Sequence, residues 1–331
     1  MKAGQLDSSK LSQAWDIVND AMMKMPYYVD KYPTRAERLR ELAKTALPAL
    51  EAALKDGFVT GVWDEALLVS LAVTAPYKLM REPGTLPAFD EQFPKVMLDK
   101  WDSIAGDPIY ILYCLTRDGY KHLAHIPYLL DDIAEKFPNQ HIFADTEMSQ
   151  YLKLFRDRGY ICEQGTPGNY YCIRVPTPSE VTFVLPSSDL YVEIEAFRKA
   201  FVGTMEEIPG GHGIHSALDA TAWIRSLRAG TGDFLTYIAV SKQDRSILGV
   251  GTVQKIMARG QLPFEFTISP KRRNEGWGRE MLHYLQSVYH VYNPAPYTYS
   301  AGDLTDFFIA AGVEPAARDK KGNPKGDKFI L

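Results

Sequence analysis

Apolar and polar residues recur along the chain with two spacings, which predict helices and strands. Apolar residues three and four positions apart, as in SSKLSQAWDIVNDAM (residues 8–22) and SSDLYVEIEAFRKAF (187–201), predict amphipathic helices that begin at serine and aspartate caps. Alternation with a period of two, as in FLTYIAV (234–240) and FEFTIS (264–269), predicts strands with one packed face. Together these patterns predict an α/β fold of the α+β type.

The order of the predicted elements occurs twice. Each half opens with a short strand and a helix, followed by a second helical stretch, RAERLRELAKTALPALEAALK (35–55) in the first half and HSALDATAWIRSLRAG (215–230) in the second. Further strands and helices complete the order β-α-α-β-β-β-α-β-α-β in each half. Both closing helices end at a glycine, Gly159 or Gly312, where a helix C-terminus favours a left-handed residue.

A linker separates the two halves. VPTPSE (175–180) carries two prolines among polar residues, which favours a linker over a helix or strand. A chain of 331 residues is long enough for two domains that each bury a core. We therefore predict two tandem domains, residues 1–176 and 177–331, each with a mixed, mostly antiparallel central sheet flanked by helices.

Composition narrows the classes of partner. The 37 basic and 41 acidic residues give a net charge of -4, and no block of Lys and Arg is long enough for a nucleic-acid or membrane footprint. The N-terminal MKAGQLDSSK is polar and no run of about 18 apolar residues occurs, so a cytoplasmic protein is expected. An odd number of cysteines without C-x-x-C spacing predicts free thiols and no metal site; they are Cys114, Cys162 and Cys172.

The stretch ISPKRRNEGWGREML (268–282) joins a strand end to a helix start. Pro270 stops sheet pairing, and Gly276 and Gly278 permit backbone torsions denied to other residues. A helix that begins there points unpaired N–H groups into the loop, which favours binding of a phosphate or pyrophosphate. On the preceding strand, alternation separates a packed face from a face open to chemistry: Phe264, Phe266 and Ile268 against Glu265, Thr267 and Ser269.

Positive charge surrounds this loop, from Lys271, Arg272, Arg273 and Arg279. The pattern is R-x-x-G-x-G, without the Gly-Lys-Ser/Thr of a P-loop and without the third glycine of a dinucleotide fingerprint. The helix that follows, REMLHYLQSVYHVY (279–292), has one apolar stripe that we predict to be core: Met281, Leu282, Leu285, Val288 and Tyr289.

The loop and the repeated element order resemble the GCN5-related N-acetyltransferase superfamily. The resemblance implies that the backbone of the loop holds the pyrophosphate of acetyl-CoA or another acyl-CoA, with no metal. The implied pyrophosphate residues are Arg273, Asn274, Glu275, Gly276, Trp277, Gly278 and Arg279. The strand before the loop is implied to pair with the pantetheine amides through Phe266, Thr267, Ile268 and Ser269.

The first half departs from this pattern. Between its central strand and the next helix stands TRDGYKHLAHI (116–126), which has one glycine and no G-x-G. Pro127 suits the first turn of a helix, so Lys121, His122 and His125 are expected in a solvated loop. We predict that the first half is a degenerate copy, kept for structure or for shaping an acceptor cleft.

The resemblance also implies a reaction, direct attack of a primary amine on the thioester. Glu265 is the candidate base, against the alternative of a solvated carboxylate without a role. The tyrosine that relatives often use as acid is replaced by Phe308, so Tyr284, Tyr299 or water is the candidate acid. His212 and His215 are candidates for acceptor contact, against the alternative of a surface turn.

Three interpretations of the function stay open at this point. The first is an N-acyltransferase, with acetyl transfer to a small-molecule or peptide amine. The second is a non-catalytic module that binds acyl-CoA as a sensor or assembly cue. The third is a ligase-like transferase that takes a larger acyl or aminoacyl donor. The sequence names neither the acceptor nor the oligomeric state.

Overall fold

The chain folds as two compact units, Met1–Arg174 and Val175–Leu331. The computed structural model describes residues 3–81, 95–104, 106–120, 122–147, 149–178, 180–186, 188–200, 234–255, 263–293, 295 and 297–330. Each unit carries a mostly antiparallel sheet with helices against it, which confirms the predicted fold class.

The first unit is built on a seven-stranded sheet in the order β1-β2-β3-β4-β5-β7-β6. Its strands are β1 (Ala3–Gln5), β2 (Val59–Asp64), β3 (Leu67–Pro76), β4 (Ile109–Thr116), β5 (Ile142–Thr146), β6 (Tyr160–Thr166) and β7 (Asn169–Arg174). Its helices are α1 (Leu11–Met22), α2 (Pro26–Lys31), α3 (Arg35–Lys44), α4 (Ala46–Lys55), α5 (Tyr77–Arg81), α6 (Lys95–Asp102), α7 (His122–Lys136) and α8 (Ser149–Arg156).

Apolar side chains cover both faces of this sheet. On one face α7 buries Leu129, Leu130 and Ile133 against the strands, and on the other α1 and α4 bury Ile17 and Leu50. The spacing of these residues is the helical period read from the sequence. The sheet is therefore positioned by amphipathic helices on its two sides.

The strands β4 and β5 of the first unit pair in parallel over a short length. The strands pair at Ile109 with Ile142 and at Tyr110 with Phe143, and no further pair follows. Beyond these pairs the Tyr110 hydroxyl donates a hydrogen bond to the Asp145 carboxylate, so a side-chain contact bridges the two strands. Burial raises the pKa of Asp145 to about 6, although the Tyr110 hydrogen bond opposes that rise.

The helix of the first unit that follows β4 begins earlier than predicted. It starts at His122, so the expectation of a solvated loop at His122 and His125 is wrong, and Lys121 lies outside the described residues. Pro127 lies inside this helix, and its carbonyl accepts a hydrogen bond from Arg158 Nε at 3.2 Å. His125 is 2% exposed, and burial lowers its pKa. His125 lies one helical turn before the buried Leu129, so the buried face of this helix extends to the N-terminal side of Pro127.

Three further differences concern element boundaries in the first unit. The stretch 35–55 forms two helices that meet at Thr45, and α2 precedes them. The helices α5 and α6 lie between β3 and β4, where the repeat predicts none. The helices α2, α5 and α6 are therefore additions to the predicted order of elements.

The second unit has a four-stranded antiparallel sheet in the order β11-β10-β9-β8 and a separate pair, β12 with β13. Its strands are β8 (Val181–Val184), β9 (Phe234–Ser241), β10 (Ile247–Gln254), β11 (Phe264–Ile268), β12 (Thr298–Ser300) and β13 (Lys328–Ile330). Its helices are α9 (Tyr191–Lys199), α10 (Trp277–Tyr292) and α11 (Thr305–Ala310). The second predicted helix at 215–230, with His212 and His215, lies outside the described residues.

Helix α10 packs on β10 through the predicted stripe, and all five residues of that stripe are buried. Two glycines of β10, Gly249 and Gly251, lie under the side chains of Met281 and Leu285. Because glycine has no side chain, the helix approaches the sheet closely at this point. This approach places the first turn of α10 beside β11.

The end of the second unit is less regular than predicted. After Gly312 the chain makes isolated bridges, Pro315 to Phe329 and Arg318 to Pro324, and β13 is its one strand there. A turn lies between these bridging segments, and in it the Asp319 carboxylate accepts hydrogen bonds from the backbone N–H groups of residues 321 and 323. Proline lacks a backbone donor, which also shortens strand pairing here.

Candidate functional site

Strand β11 presents one free edge. It pairs with β10, with Gly249 opposite Ile268 and Gly251 opposite Phe266. It is the last strand of its sheet, so none of the described strands pairs with its other side. Arg273 Nε donates to the Ile268 carbonyl at 3.4 Å, and no described strand occupies this edge, which suits hydrogen bonding with a ligand.

The loop after β11 turns the chain back toward the sheet. The Ser269 N–H donates to the carbonyl of Leu248 at 2.8 Å, and the Ser269 carbonyl accepts from the Arg272 N–H at 2.8 Å. Two residues then adopt left-handed torsions, Asn274 with a φ of 64° and Gly276 with a φ of 89°. Asparagine and glycine are the residues that take this conformation at low cost.

Helix α10 starts without a capping side chain. Gly276 is its N-cap, and the Gly276 carbonyl accepts from the N–H groups of Arg279 at 3.0 Å and Glu280 at 3.3 Å. Helix geometry leaves the N–H groups of the first residues, here Trp277 and Gly278, without intrahelical acceptors. The loop side of the helix therefore carries open donors and the positive end of the helix dipole.

A cavity of about 550 Å³ lies where β11, the loop and α10 meet. Its polar lining comes from Thr267, Arg273, Asn274 and Arg279, together with Gly276 and Gly278. Its apolar lining comes from Phe266, Ile268, Phe307, Ala310 and Ala311. The cavity thus joins a polar, cationic part to an apolar part.

The backbone conformation explains a glycine at position 276 but not at position 278. Gly276 needs its positive φ, and a Cβ atom there would have no heavy atom within 4 Å. Gly278 has no positive φ, and a Cβ there would meet the Phe307 ring at 3.5 Å, which is an ordinary contact. The packing of the described chain therefore does not require a glycine at 278. Its missing side chain widens the cavity instead.

The cations of the loop divide into two groups. Arg273 and Arg279 line the cavity. Arg272 does not, and its guanidinium instead lies 2.9 Å from the Glu275 carboxylate and 3.7 Å from that of Asp244. Glu275 also accepts a hydrogen bond from the indole of Trp277 at 3.1 Å. Arg272 is therefore held by acidic side chains outside the cavity. Arg273 and Arg279 line the cavity and have other partners, since Arg273 Nε donates to the Ile268 carbonyl at 3.4 Å and Arg279 lies 3.1 Å from the Glu280 carboxylate.

Glu265 is exposed on β11, on the same face as Thr267. It lies opposite Thr252, whose hydroxyl is 3.2 Å from that of Thr236. Residues two apart on a strand are about 7 Å apart, so Glu265 is one such step from the cavity-lining Thr267. Its role as a base stays a prediction.

The candidate acids lie away from this cavity. Tyr284 is 2% exposed, with its ring stacked on Phe183 at a centroid distance of 3.6 Å. Tyr299 pairs with Phe329 in β12 and β13. Neither tyrosine lines the cavity. Their roles as acids stay predictions that the geometry does not favour.

Sequence reasoning missed the contribution of α11 to the cavity. It considered Phe308, which is 1% exposed and packs edge-on against Phe329 at 5.4 Å. Phe307 is the residue of this pair that lines the cavity, with Ala310 and Ala311. The spacing of these three, i, i+3 and i+4, marks one helix face and was the available signal.

The described ranges contain no group of three or more His, Cys, Asp or Glu residues that is able to hold a metal ion. No helix within them has the length and apolar character needed to cross a bilayer.

No family model and no curated protein matches the chain. Among solved structures, it is similar to an N-acetyltransferase from Staphylococcus aureus, with 14% identity over 52% of this chain and 98% of that one, and a TM-score of 0.34. A mosquito arylalkylamine N-acetyltransferase like 5b has 13% identity over 52% and 98%, with a TM-score of 0.34. An N-acetyltransferase from Thermoplasma acidophilum, solved with coenzyme A, has 9% identity over 53% and 99%, with a TM-score of 0.35.

Each of these matches covers about half of the chain. The three proteins are acetyltransferases by name. At these identities and scores, the likenesses do not assign a family or an activity to this chain.

Proposed function

We propose that the chain is an acyl-CoA-dependent N-acyltransferase of the GCN5-related superfamily, with two domains, residues 1–176 and 177–331. The second domain is the one that binds acyl-CoA. One observation carries the proposal: a cavity lined by Arg273, Arg279 and two glycines lies between the free edge of β11 and the uncapped start of α10.

The residues present suit the parts of an acyl-CoA. Open N–H groups at Trp277 and Gly278, with two guanidinium groups, favour the charge of a pyrophosphate. The unpaired edge of β11 at residues 266–268 suits the amides of pantetheine, whereas the Ser269 N–H and carbonyl already have partners in Leu248 and Arg272. Phe266 and Phe307 supply the apolar lining that an alkyl chain requires. The donor is proposed to be acetyl-CoA.

The bound thioester supplies an already activated acyl group, so the chain's own residues have to orient the acceptor and manage its proton. The proposed acceptor is a small molecule or peptide with a primary amine, and Glu265 is the proposed base. Because Tyr284 and Tyr299 lie away from the cavity, water is the proposed acid for the leaving thiolate. No metal is part of this proposal.

Replacing Glu265 with Gln tests the base. We expect kcat to fall about a hundredfold for an alkylamine acceptor of pKa near 10, because so little of that amine is neutral at pH 7. For an acceptor with an α-amino group of pKa about 7.7, kcat should fall less, since part of that amine is already neutral at pH 7. Thiol release measured with both acceptors checks this, with the Kd for acetyl-CoA as control. Equal losses for the two acceptors would remove Glu265 from the mechanism.

Single arginine replacements test how the loop uses its charge. Arg273→Ala should weaken acetyl-CoA binding roughly tenfold or more, since hydrogen bonds between charged groups contribute about 1.5–3 kcal/mol each. The matched control is Arg272→Ala, which removes a cation held by Glu275 and Asp244 and absent from the cavity lining. Calorimetric titration of both variants measures the difference. A larger loss for Arg272→Ala contradicts the division of the two arginines.

The second candidate function is an acyl-CoA-binding module without catalysis. The burial of Phe308, at the position where relatives often carry an acid, favours this alternative. Both candidates require the same cavity, so binding alone does not separate them. Steady thiol release from acetyl-CoA with a panel of amines does, because a binding module gives no turnover.

A further inference from the structure

Two thiols of the first unit face each other across neighbouring strands. Cys162 in β6 lies directly opposite Cys172 in β7, and their Sγ atoms are 3.0 Å apart. Both side chains are buried, with 7% and 0% exposure. The ten-residue spacing gave no sign of this contact, because only the hairpin register makes the two residues opposite.

The backbone at this position suits a disulfide. Directly opposed residues of an antiparallel pair have Cα atoms about 4.5–5.5 Å apart, and disulfides form at Cα separations of about 4.4–6.8 Å. The sulfur atoms of a disulfide are about 2.05 Å apart, so the two Sγ atoms have to approach by roughly 1 Å. Side-chain rotation supplies such a movement without a change in strand register.

The two cysteines differ in how accessible their thiols are to solvent. Cys162 is the more exposed, and β6 is the last strand of the sheet. The Cys172 thiol donates a hydrogen bond to Cys162 Sγ, and the Cys162 thiol donates to the Tyr160 carbonyl at 3.8 Å. Burial raises the pKa of Cys172 well above its usual value. An oxidant from solvent therefore reaches Cys162 first, with Cys172 in contact behind it.

We propose that Cys162 and Cys172 form an oxidative modification site that a peroxide converts to an intramolecular disulfide. Hydrogen peroxide oxidises the Cys162 thiol to a sulfenic acid and is reduced to water. The Cys172 sulfur then attacks the Cys162 sulfur, a second water leaves, and the S–S bond forms. Two thiols lose two hydrogen atoms in total, and no other reactant is needed.

The disulfide has a structural consequence in the first unit. It links β6 to β7, and the Cys162 carbonyl accepts a hydrogen bond from Arg156 of α8 at 3.3 Å. A cross-link here constrains the unfolded chain and so raises the stability of this unit. The inference concerns the first unit alone and does not depend on the proposed acyl transfer.

Treatment of the full folded chain with hydrogen peroxide tests the proposal. Intact mass should fall by two hydrogen atoms, and peptide mapping should recover one cross-linked pair that contains positions 162 and 172. The same loss should occur in Cys114→Ser, because Cys114 lies in β4 opposite Ala72 and faces neither cysteine of the β6–β7 pair. It should be absent in Cys172→Ser, which should retain oxygen on Cys162 instead.

The thermal midpoint of the oxidised wild-type chain should rise, and dithiothreitol should reverse both the mass change and the rise. Peptide mapping of the wild type keeps the test valid if Cys172→Ser fails to fold. Addition of oxygen without any cross-link in the folded wild type would overturn the proposal. A cross-link that contains Cys114 would overturn it as well.

Discussion

Replacing Gly276 with leucine is expected to abolish acetyl-CoA binding while the second unit stays folded. A Cβ atom at this position has no heavy atom within 4 Å, and Gly276 lines the cavity, so we expect the leucine side chain to occupy open space at the start of α10. There it would cover the open N–H groups of Trp277 and Gly278 and exclude a pyrophosphate. We expect affinity to fall at least roughly a hundredfold, which corresponds to about 3 kcal/mol.

The change also strains the backbone, because leucine takes the place of glycine at a φ of 89°. That strain costs about 1–2 kcal/mol, which is small against a typical total stability of about 5–15 kcal/mol. Gly322→Leu is the matched control, since Gly322 has a φ of 86°, equally open surroundings, and no part in the cavity lining.

Calorimetric titration with acetyl-CoA and a thermal melt of both variants separate the two effects. We expect similar melts for the two variants and loss of binding in Gly276→Leu alone. Wild-type affinity in Gly276→Leu would show that the loop does not hold the ligand. Loss of binding in both variants would point to strain and not to the loop.

Replacing Gly249 with alanine is expected to destabilise the second unit more than any exposed loop change. A Cβ at this position would lie 2.8 Å from the backbone carbonyl oxygen of Thr267 and 2.8 Å from Ile268 Cδ1. The carbonyl belongs to the partner strand, so relief requires β10 and β11 to separate. Overpacking of this kind costs about 1–3 kcal/mol, occasionally more.

Two other glycine replacements calibrate this expectation. Gly251→Ala also crowds α10, but its nearest atom is Leu285 Cδ1 at 2.6 Å, the end of a side chain that is able to rotate. Gly4→Ala in β1 meets Trp63 at 3.7 Å, an ordinary contact, and should be neutral or slightly stabilising. For each variant the denaturant midpoint is compared with the wild-type midpoint of the unit that carries the change. The decrease should be smallest for Gly4→Ala, larger for Gly251→Ala and largest for Gly249→Ala. A Gly249→Ala midpoint equal to that of the wild type would contradict the close strand approach.

The two units differ at the point that matters for the proposed function. In the first unit β4 pairs with β5, and a hydrogen bond from Tyr110 to Asp145 bridges the strands beyond the last pair. In the second unit β11 has no such neighbour within the described ranges, and the cavity opens beside it. Calorimetry should therefore give one acetyl-CoA site per chain, in agreement with the predicted degenerate first half.

The sequence by itself determined the local features of the second unit. The helical period of residues 281–289 identified the buried stripe of α10, because the spacing of apolar side chains depends on helix geometry alone. The glycines of R-x-x-G-x-G predicted the left-handed residue at Gly276, since that conformation is a local backbone property. The strand alternation of β11 likewise predicted that Glu265 is exposed. It was wrong for Phe266 and Ile268, which line the cavity, and for Ser269, which is buried.

Only the tertiary structure decided which side chains meet. Arg272 and Arg273 are neighbours of one chemical type, but the approach of Asp244 and Glu275 draws Arg272 away from the cavity. Phe307 lines the cavity and Phe308 fills the core because α11 presents one face to β11 and another to β13. His125 is buried because its helix packs against the rest of the first unit. Cys162 and Cys172 meet because the register of β6 and β7 places them opposite each other. Residue spacing describes one segment at a time and carries no information about the segment that packs against it.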